Sequence, residues 1–203
     1  QKGDNYPGPN ATINGALVDS LTGEPFQSEQ PNGFRMKWTE LSYTGGSVQP
    51  DYFWGMPDGK FNWNYAFGYE SSRYEIVPIE GAFVATEART FTLAKGENAT
   101  IDFKIIPLLR IRETHTLSGT ELTVTYTVTR PEDSGNGALQ TSRVLISDKT
   151  KYIGLANQGG FIDALSGKPH SLKEEEIGKT LTEKITLQSG KTYYMRVAAS
   201  VAN

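Results

Sequence analysis

The chain has 203 residues, a net charge of -3 with a sequence pI near 5.5, and no cysteine. That charge leaves no electrostatic footprint for DNA, RNA or an acidic membrane surface, and the missing cysteine removes disulfides, thiolate nucleophiles and cysteine metal sites together. No apolar run approaches the roughly 18 residues of a membrane helix, and a 37% hydrophobic, 21% charged composition with 21 Gly and 10 Pro suits a turn-rich globular protein with room for two cores.

Residues 1–10 hold Gly3, Pro7, Gly8 and Pro9 with only Tyr6 apolar, and read as a flexible tether. Alternation of period two then begins, with Ala11, Ile13 and Leu17 on one side, and Asp19, Ser20, Thr22, Gly23 and Pro25 end that strand. Phe34, Met36 and Trp38 point inward and Arg35, Lys37 and Thr39 outward in the next strand. Further strands fit Tyr74 to Pro78, Phe91 to Leu93 and Ile101 to Ile105, the last two joined by a turn at Lys95-Gly96-Glu97-Asn98. At least five strands thus precede Pro107.

A second series follows Arg110. Leu122, Val124, Tyr126 and Val128 alternate with threonines, a pattern rich in β-branched residues. Strands also fit Ser142 to Ser147, Thr182 to Leu187 and Tyr193 to Val201. One short helix is expected, with Ser171 as its cap, Glu174 completing a capping box and Gly178 as its stop. The expected architecture is all-β, two tandem β-sandwich domains at residues 11–109 and 110–203, with at most one short helix.

Several motifs bear on chemistry. Ser189-Gly190-Lys191-Thr192 and Gly178-Lys179-Thr180 lack the upstream glycine of a phosphate loop, since Ile185 and Lys173 stand there. His115 and His170 belong to no triad or zinc pattern and are expected at the surface. Catalytic residues, metal ligands and cofactors are therefore predicted to be none, although two carboxylates brought together by folding leave no linear signature. Leu187-Gln188-Ser189-Gly190-Lys191-Thr192-Tyr193 fits a tyrosine corner, in which the Tyr193 hydroxyl bonds back to upstream backbone.

Aromatic residues concentrate at Tyr52, Phe53 and Trp54 and again at Trp63, Tyr65, Phe67 and Tyr69. Exposed rings stack on sugar faces; buried rings fill a sandwich core. The second group is read as core, and Tyr52 and Trp54 as the candidate glycan-binding pair. Asn10-Ala11-Thr12 and Asn98-Ala99-Thr100 match the eukaryotic glycosylation acceptor, and Asp19-Ser20-Leu21 matches the O-glycosylation acceptor of exported Bacteroidetes proteins, with Ser20 as the modified residue; it is equally a plain turn.

Asp4-Asn5-Tyr6-Pro7, Ile13-Asn14-Gly15, Val18-Asp19-Ser20-Leu21-Thr22-Gly23-Glu24-Pro25, Glu29-Gln30-Pro31-Asn32-Gly33 and Tyr52-Phe53-Trp54-Gly55 with Asp58-Gly59 together resemble the DUF3823 family, lipoproteins of gut Bacteroidetes. The opening, the Asp58-Gly59-Lys60-Phe61 turn and Tyr74-Glu75-Ile76 are also similar to the carboxypeptidase-regulatory, transthyretin-like sandwich, and the second domain to fibronectin type III. The resemblance implies an outer-membrane surface lipoprotein, anchored through a Cys preceding residue 1 and accessory to polysaccharide or oligosaccharide capture beside SusC-like and SusD-like partners. The alternative is a structural or adhesive spacer that binds no glycan.

Overall fold

The computed structural model describes residues 7–29, 33–154 and 161–202. Residues 1–6 of the expected tether and 30–32 of the Glu29-to-Gly33 motif lie outside them. The described chain is all-β. It divides into two compact units, one of residues 7–28, 33–81 and 85–105, the other of 106–154 and 161–202 together with Glu29 and 82–84.

The first unit holds β1 (Ala11–Asp19), β2 (Arg35–Glu40), β3 (Asp51–Trp54), β4 (Lys60–Ala66), β5 (Tyr74–Ile79), β6 (Arg89–Phe91), β7 (Asn98–Thr100) and β8 (Phe103–Ile105). One sheet runs β4-β1-β7, with β8 also on β1; the other runs β3-β2-β5-β6. β1 is antiparallel to β4 but parallel to β7 through Thr12–Asn14 and to β8 through Leu17–Asp19. Between those two pairings the chain crosses Gly15, and a Cβ there would sit 1.8 Å from the Ile101 carbonyl oxygen. The close backbone approach therefore demands glycine.

Alternation places the core. Ile13 and Leu17 of β1 and Met36 of β2 are sealed, as are Phe61, Tyr74 and Ile76. Rings join the two sheets: Phe53 of β3 stacks on Trp63 of β4 at 5.3 Å, and Trp38 of β2 meets Trp63 at 6.3 Å. Such pairs add about 0.5–1.5 kcal/mol each beyond the area they bury.

β4 corrects the reading of the second aromatic group as core. Ala11 pairs with Ala66 and Ile13 with Trp63, so two steps on β1 face three on β4. This bulge flips the alternation. Phe61 stays buried and Trp63 half-buried, whereas Ala66 takes the inner position and Tyr65 and Phe67 are 62% and 42% exposed.

The second unit holds β9 (Arg110–Ser118), β10 (Glu121–Thr129), β11 (Leu139–Ser147), β12 (His170–Ser171), β13 (Thr180–Thr186) and β14 (Tyr194–Val201). Two antiparallel three-stranded sheets, β13-β10-β9 and β12-β11-β14, enclose Leu122, Val124, Tyr126, Val128, Val144, Ile146, Leu172, Ile185 and Val197. The Tyr126 hydroxyl meets Ser142 Oγ at 2.8 Å inside this core, tying β10 to β11. Tyr193 Oη accepts the Gln188 N–H at 3.3 Å, the backward bond of a tyrosine corner.

The expected helix is replaced by a single 3-10 turn, Glu174–Glu176. Ser171 is not its cap, because His170 and Ser171 are taken up in pairing with Ser142 and Thr141. The cap falls on Lys173, whose N–H donates to the Glu176 carboxylate at 2.9 Å, and Gly178 follows in the left-handed region at φ +79. Three residues are too few to repay helix nucleation.

Candidate functional site

The outer face of the β3-β2-β5-β6 sheet follows from period two. With Phe53, Met36, Trp38, Tyr74 and Ile76 turned inward, Tyr52 and Trp54 of β3, Arg35, Lys37 and Thr39 of β2, and Glu75, Val77 and Ile79 of β5 must face out. Register then sets neighbours. Trp54, Arg35 and Ile79 lie in one row across the strands, and Tyr52, Lys37 and Val77 in the next.

Tyr52 and Trp54 are 42% and 48% exposed. Both stand on an edge strand, so their rings meet solvent from the side as well as from above. The Arg35 guanidinium spans them, its carbon 4.5 Å from the Tyr52 ring centre and 5.4 Å from that of Trp54. Such contacts are electrostatic attractions between the cation and the ring faces, and they are weak at an exposed site.

Glu80 holds the guanidinium in place. Arg35 Nε donates to Glu80 Oε2 at 2.6 Å and Nη2 to Oε1 at 2.5 Å, a two-point fork. The hydrogen-bonded partner holds the Glu80 carboxyl below its ordinary range and pushes Arg35 above its own. Glu80 follows β5 directly and adopts φ +64, a left-handed conformation that costs a residue with a Cβ of order 1 kcal/mol or more. The backbone is bent against its preference at the point that aims this carboxylate.

A second cluster ties down neighbouring loops. The Tyr69 hydroxyl donates to Glu40 and shares a hydrogen bond with Ser42, and Ser42 Oγ accepts the Arg73 N–H at 2.9 Å. Tyr74 donates to the Phe67 carbonyl at 2.5 Å. Burial, before the nearby Glu40 charge, pushes both tyrosines above their ordinary range, so neither is a base near neutral pH.

The remaining predicted positions fall elsewhere. Ser20 is exposed in a turn where Asp19 Oδ1 accepts the Leu21 N–H at 2.9 Å. The Asn10 amide is spent on both backbone groups of Gly68, and Asn98 Oδ1 accepts from Thr12 at 2.8 Å and from Asn14. His115 lies 3.1 Å from Glu113, and His170 2.8 Å from Glu176, both on exposed strands. No cluster of three or more His, Asp or Glu suited to a metal occurs among the described residues.

Arg35 and Glu80 are the site residues that sequence reasoning missed. Arg35 had one signal, its outward place in the β2 alternation. Glu80 had none, because a left-handed glutamate after a strand has no motif of its own.

Fold and site together define a class: a two-unit all-β protein that presents a ring, guanidinium, ring surface on one sheet. No family model matches the chain, and no curated protein does. Solved structures do match. A DUF3823 family protein from Bacteroides uniformis ATCC 8492 superposes with a TM-score of 0.74 at 18% identity, covering 95% of this chain and 90% of that one. A DUF3823 family protein from Parabacteroides merdae ATCC 43184 gives 0.68 at 14% identity, over 95% and 92% of the two chains. A protein from Bacteroides uniformis ATCC 8492 described as a candidate carbohydrate binding protein gives 0.67 at 21% identity, over 95% and 90%. The fold is the one solved for DUF3823 proteins.

Proposed function

We propose that this protein is a non-catalytic surface lipoprotein accessory to polysaccharide capture by a SusC/SusD-type system, and that it holds glycan weakly on the cluster of Tyr52, Arg35 and Trp54. The observation that carries the reading is this cluster itself. A sugar ring offers an apolar C–H face and a rim of hydroxyls; two exposed rings on an edge strand suit the face, and a fixed guanidinium between them suits the rim. The likeness in fold to a candidate carbohydrate binding protein supports the same direction.

An open sheet face encloses little of its ligand, so affinity on the order of 1 mM per site is expected, useful chiefly when several chains engage one polymer. Affinity electrophoresis through gels containing a panel of polysaccharides tests the reading. At least one neutral polymer should retard the wild type; Tyr52→Ala and Trp54→Ala should each weaken retardation several-fold, and the double variant should abolish it. Retardation that survives loss of both rings would remove this face as the site. The anchor is tested separately, by lipid labelling of the full precursor in cells.

A further inference from the structure

We propose that the Arg35 and Glu80 fork makes the platform selective for neutral glycans over uronate- or sulfate-bearing ones, with Glu80 as the residue that sets the choice. The inference rests on the glycan-binding reading and adds to it the class of sugar.

Arg35 is the cation in contact with both rings, and an anionic sugar stacked on Tyr52 or Trp54 would reach for it first. Its side-on fork is already filled. Two of the five guanidinium N–H groups, at Nε and Nη2, are committed to the two oxygens of Glu80. A uronate or sulfate could gain that side-on pair of bonds only by displacing a carboxylate that is covalently tethered beside it. The Nη1 and Nη2 N–H groups at the far end of the guanidinium stay open, but an anion bound there sits close to the Glu80 charge, a like-charge contact that disfavours wrong partners.

A neutral sugar meets no such conflict. Its hydroxyl oxygens accept from the N–H groups that Glu80 leaves over, and its hydroxyl protons donate to the lone pairs of Glu80 that face solvent. Both charges can stay paired while the sugar binds. The rest of the face agrees: Lys37 and Glu75 face out from adjacent strands, so the four outward charges on Arg35, Lys37, Glu75 and Glu80 cancel and offer no net steering to an anion.

The backbone supplies the independent sign that Glu80 is aimed. A residue at φ +64 directly after a strand is a cost that glycine would avoid, and Gly81 stands only one position away. An ion pair serving only surface stability would rarely repay that cost, because exposed pairs contribute little. Positioning of the guanidinium against the two rings accounts for it.

The experiment compares wild type, Glu80→Gln, Glu80→Gly and Glu80→Gln/Arg35→Gln in gels containing a neutral polysaccharide or polygalacturonate, at low and at physiological salt. Glu80→Gln keeps the side-chain shape and removes the charge. Glu80→Gly removes both and relieves the backbone, so it folds even if the glutamine variant does not. Wild type should be retarded by the neutral polymer and pass polygalacturonate freely. Either Glu80 variant should gain retardation on polygalacturonate, by roughly tenfold in affinity at low salt and less as salt rises. The Arg35→Gln change in the double variant should abolish that gain.

If wild type is held by polygalacturonate as firmly as by the neutral polymer, or if both Glu80 variants keep the wild-type selectivity, the inference is wrong while the glycan-binding reading stands. If no polymer of either kind retards wild type, the glycan-binding reading is wrong and this inference goes with it.

Discussion

Gly55 sits immediately after Trp54, and replacing it with alanine tests how the platform is joined to the core. A Cβ at Gly55 would lie 1.9–2.3 Å from three ring carbons of Phe34. Ordinary carbon contacts are about 3.5–4.0 Å, so the ring would have to retreat by roughly 1.5 Å or more. It has nowhere near to go: Phe34 is fully buried, and its carbonyl accepts the Gly55 N–H at 2.9 Å, which fixes the two backbones against each other. If the core yields slightly, overpacking costs about 1–3 kcal/mol. If the ring is expelled, the cost approaches the 3–5 kcal/mol typical of Phe→Ala.

Urea unfolding followed by tryptophan fluorescence reads this unit directly, since Trp38, Trp54 and Trp63 all belong to it. Gly55→Ala should lower the midpoint by an amount equivalent to about 2–4 kcal/mol. Phe34→Ala should cost about 3–5 kcal/mol, and the double variant no more than Phe34→Ala alone, because the truncated side chain makes room for the new methyl. Gly8→Ala, whose Cβ would meet nothing within 4 Å, is the control and should leave the midpoint unchanged. A wild-type midpoint for Gly55→Ala, or strict additivity in the double variant, would refute the argued contact.

In the second unit, Tyr126→Phe should destabilise by about 1–3 kcal/mol, because it leaves the sealed Ser142 hydroxyl unpaired, and Tyr126→Phe/Ser142→Ala should recover part of the loss; hydrogen exchange of β10 and β11 amides checks both. Burial raises the Tyr74 and Tyr126 hydroxyls above the ordinary 10.0, so their stabilising contribution is complete below that pH and declines as pH rises through the folded-state values. Alkaline titration by phenolate absorbance should therefore show late-ionising tyrosines that appear together with unfolding, and Tyr74→Phe/Tyr126→Phe should reduce that phase to the share of Tyr69, which is also raised.

Strands that bury one face declared themselves. Met36 and Trp38 in β2, Tyr74 and Ile76 in β5, and Leu122 to Val128 in β10 alternate because a pleated strand with one dry side has no other solution. β9 escaped notice because Arg110–Ser118 is an edge strand exposed along nearly its whole length, so neither face had to be apolar. β4 misled for a different reason. Its aromatic run keeps period two through Trp63, Tyr65 and Phe67, but a one-residue bulge against β1 changes which side is inside, and bulges leave no mark in an alternation pattern.

The platform shows the same division within a single site. Exposure of Tyr52 and Trp54 follows from strand parity once Phe53 is taken as core, so the two aromatic members of the cluster were legible. Arg35 joins them only through the register that pairs it with Trp54 across β2 and β3, and Glu80 only through a turn of the backbone 45 positions further on. Chemistry that depends on such pairing has a practical consequence for other chains of this fold. Two exposed aromatics on β3 predict a surface that can stack on a sugar; under the proposed selectivity, the charge of that sugar is set by what stands opposite them on β2 and at the end of β5. A chain that kept both rings and the arginine but lacked the acid after β5 would present an open guanidinium fork, and by the reasoning above it should take acidic glycans.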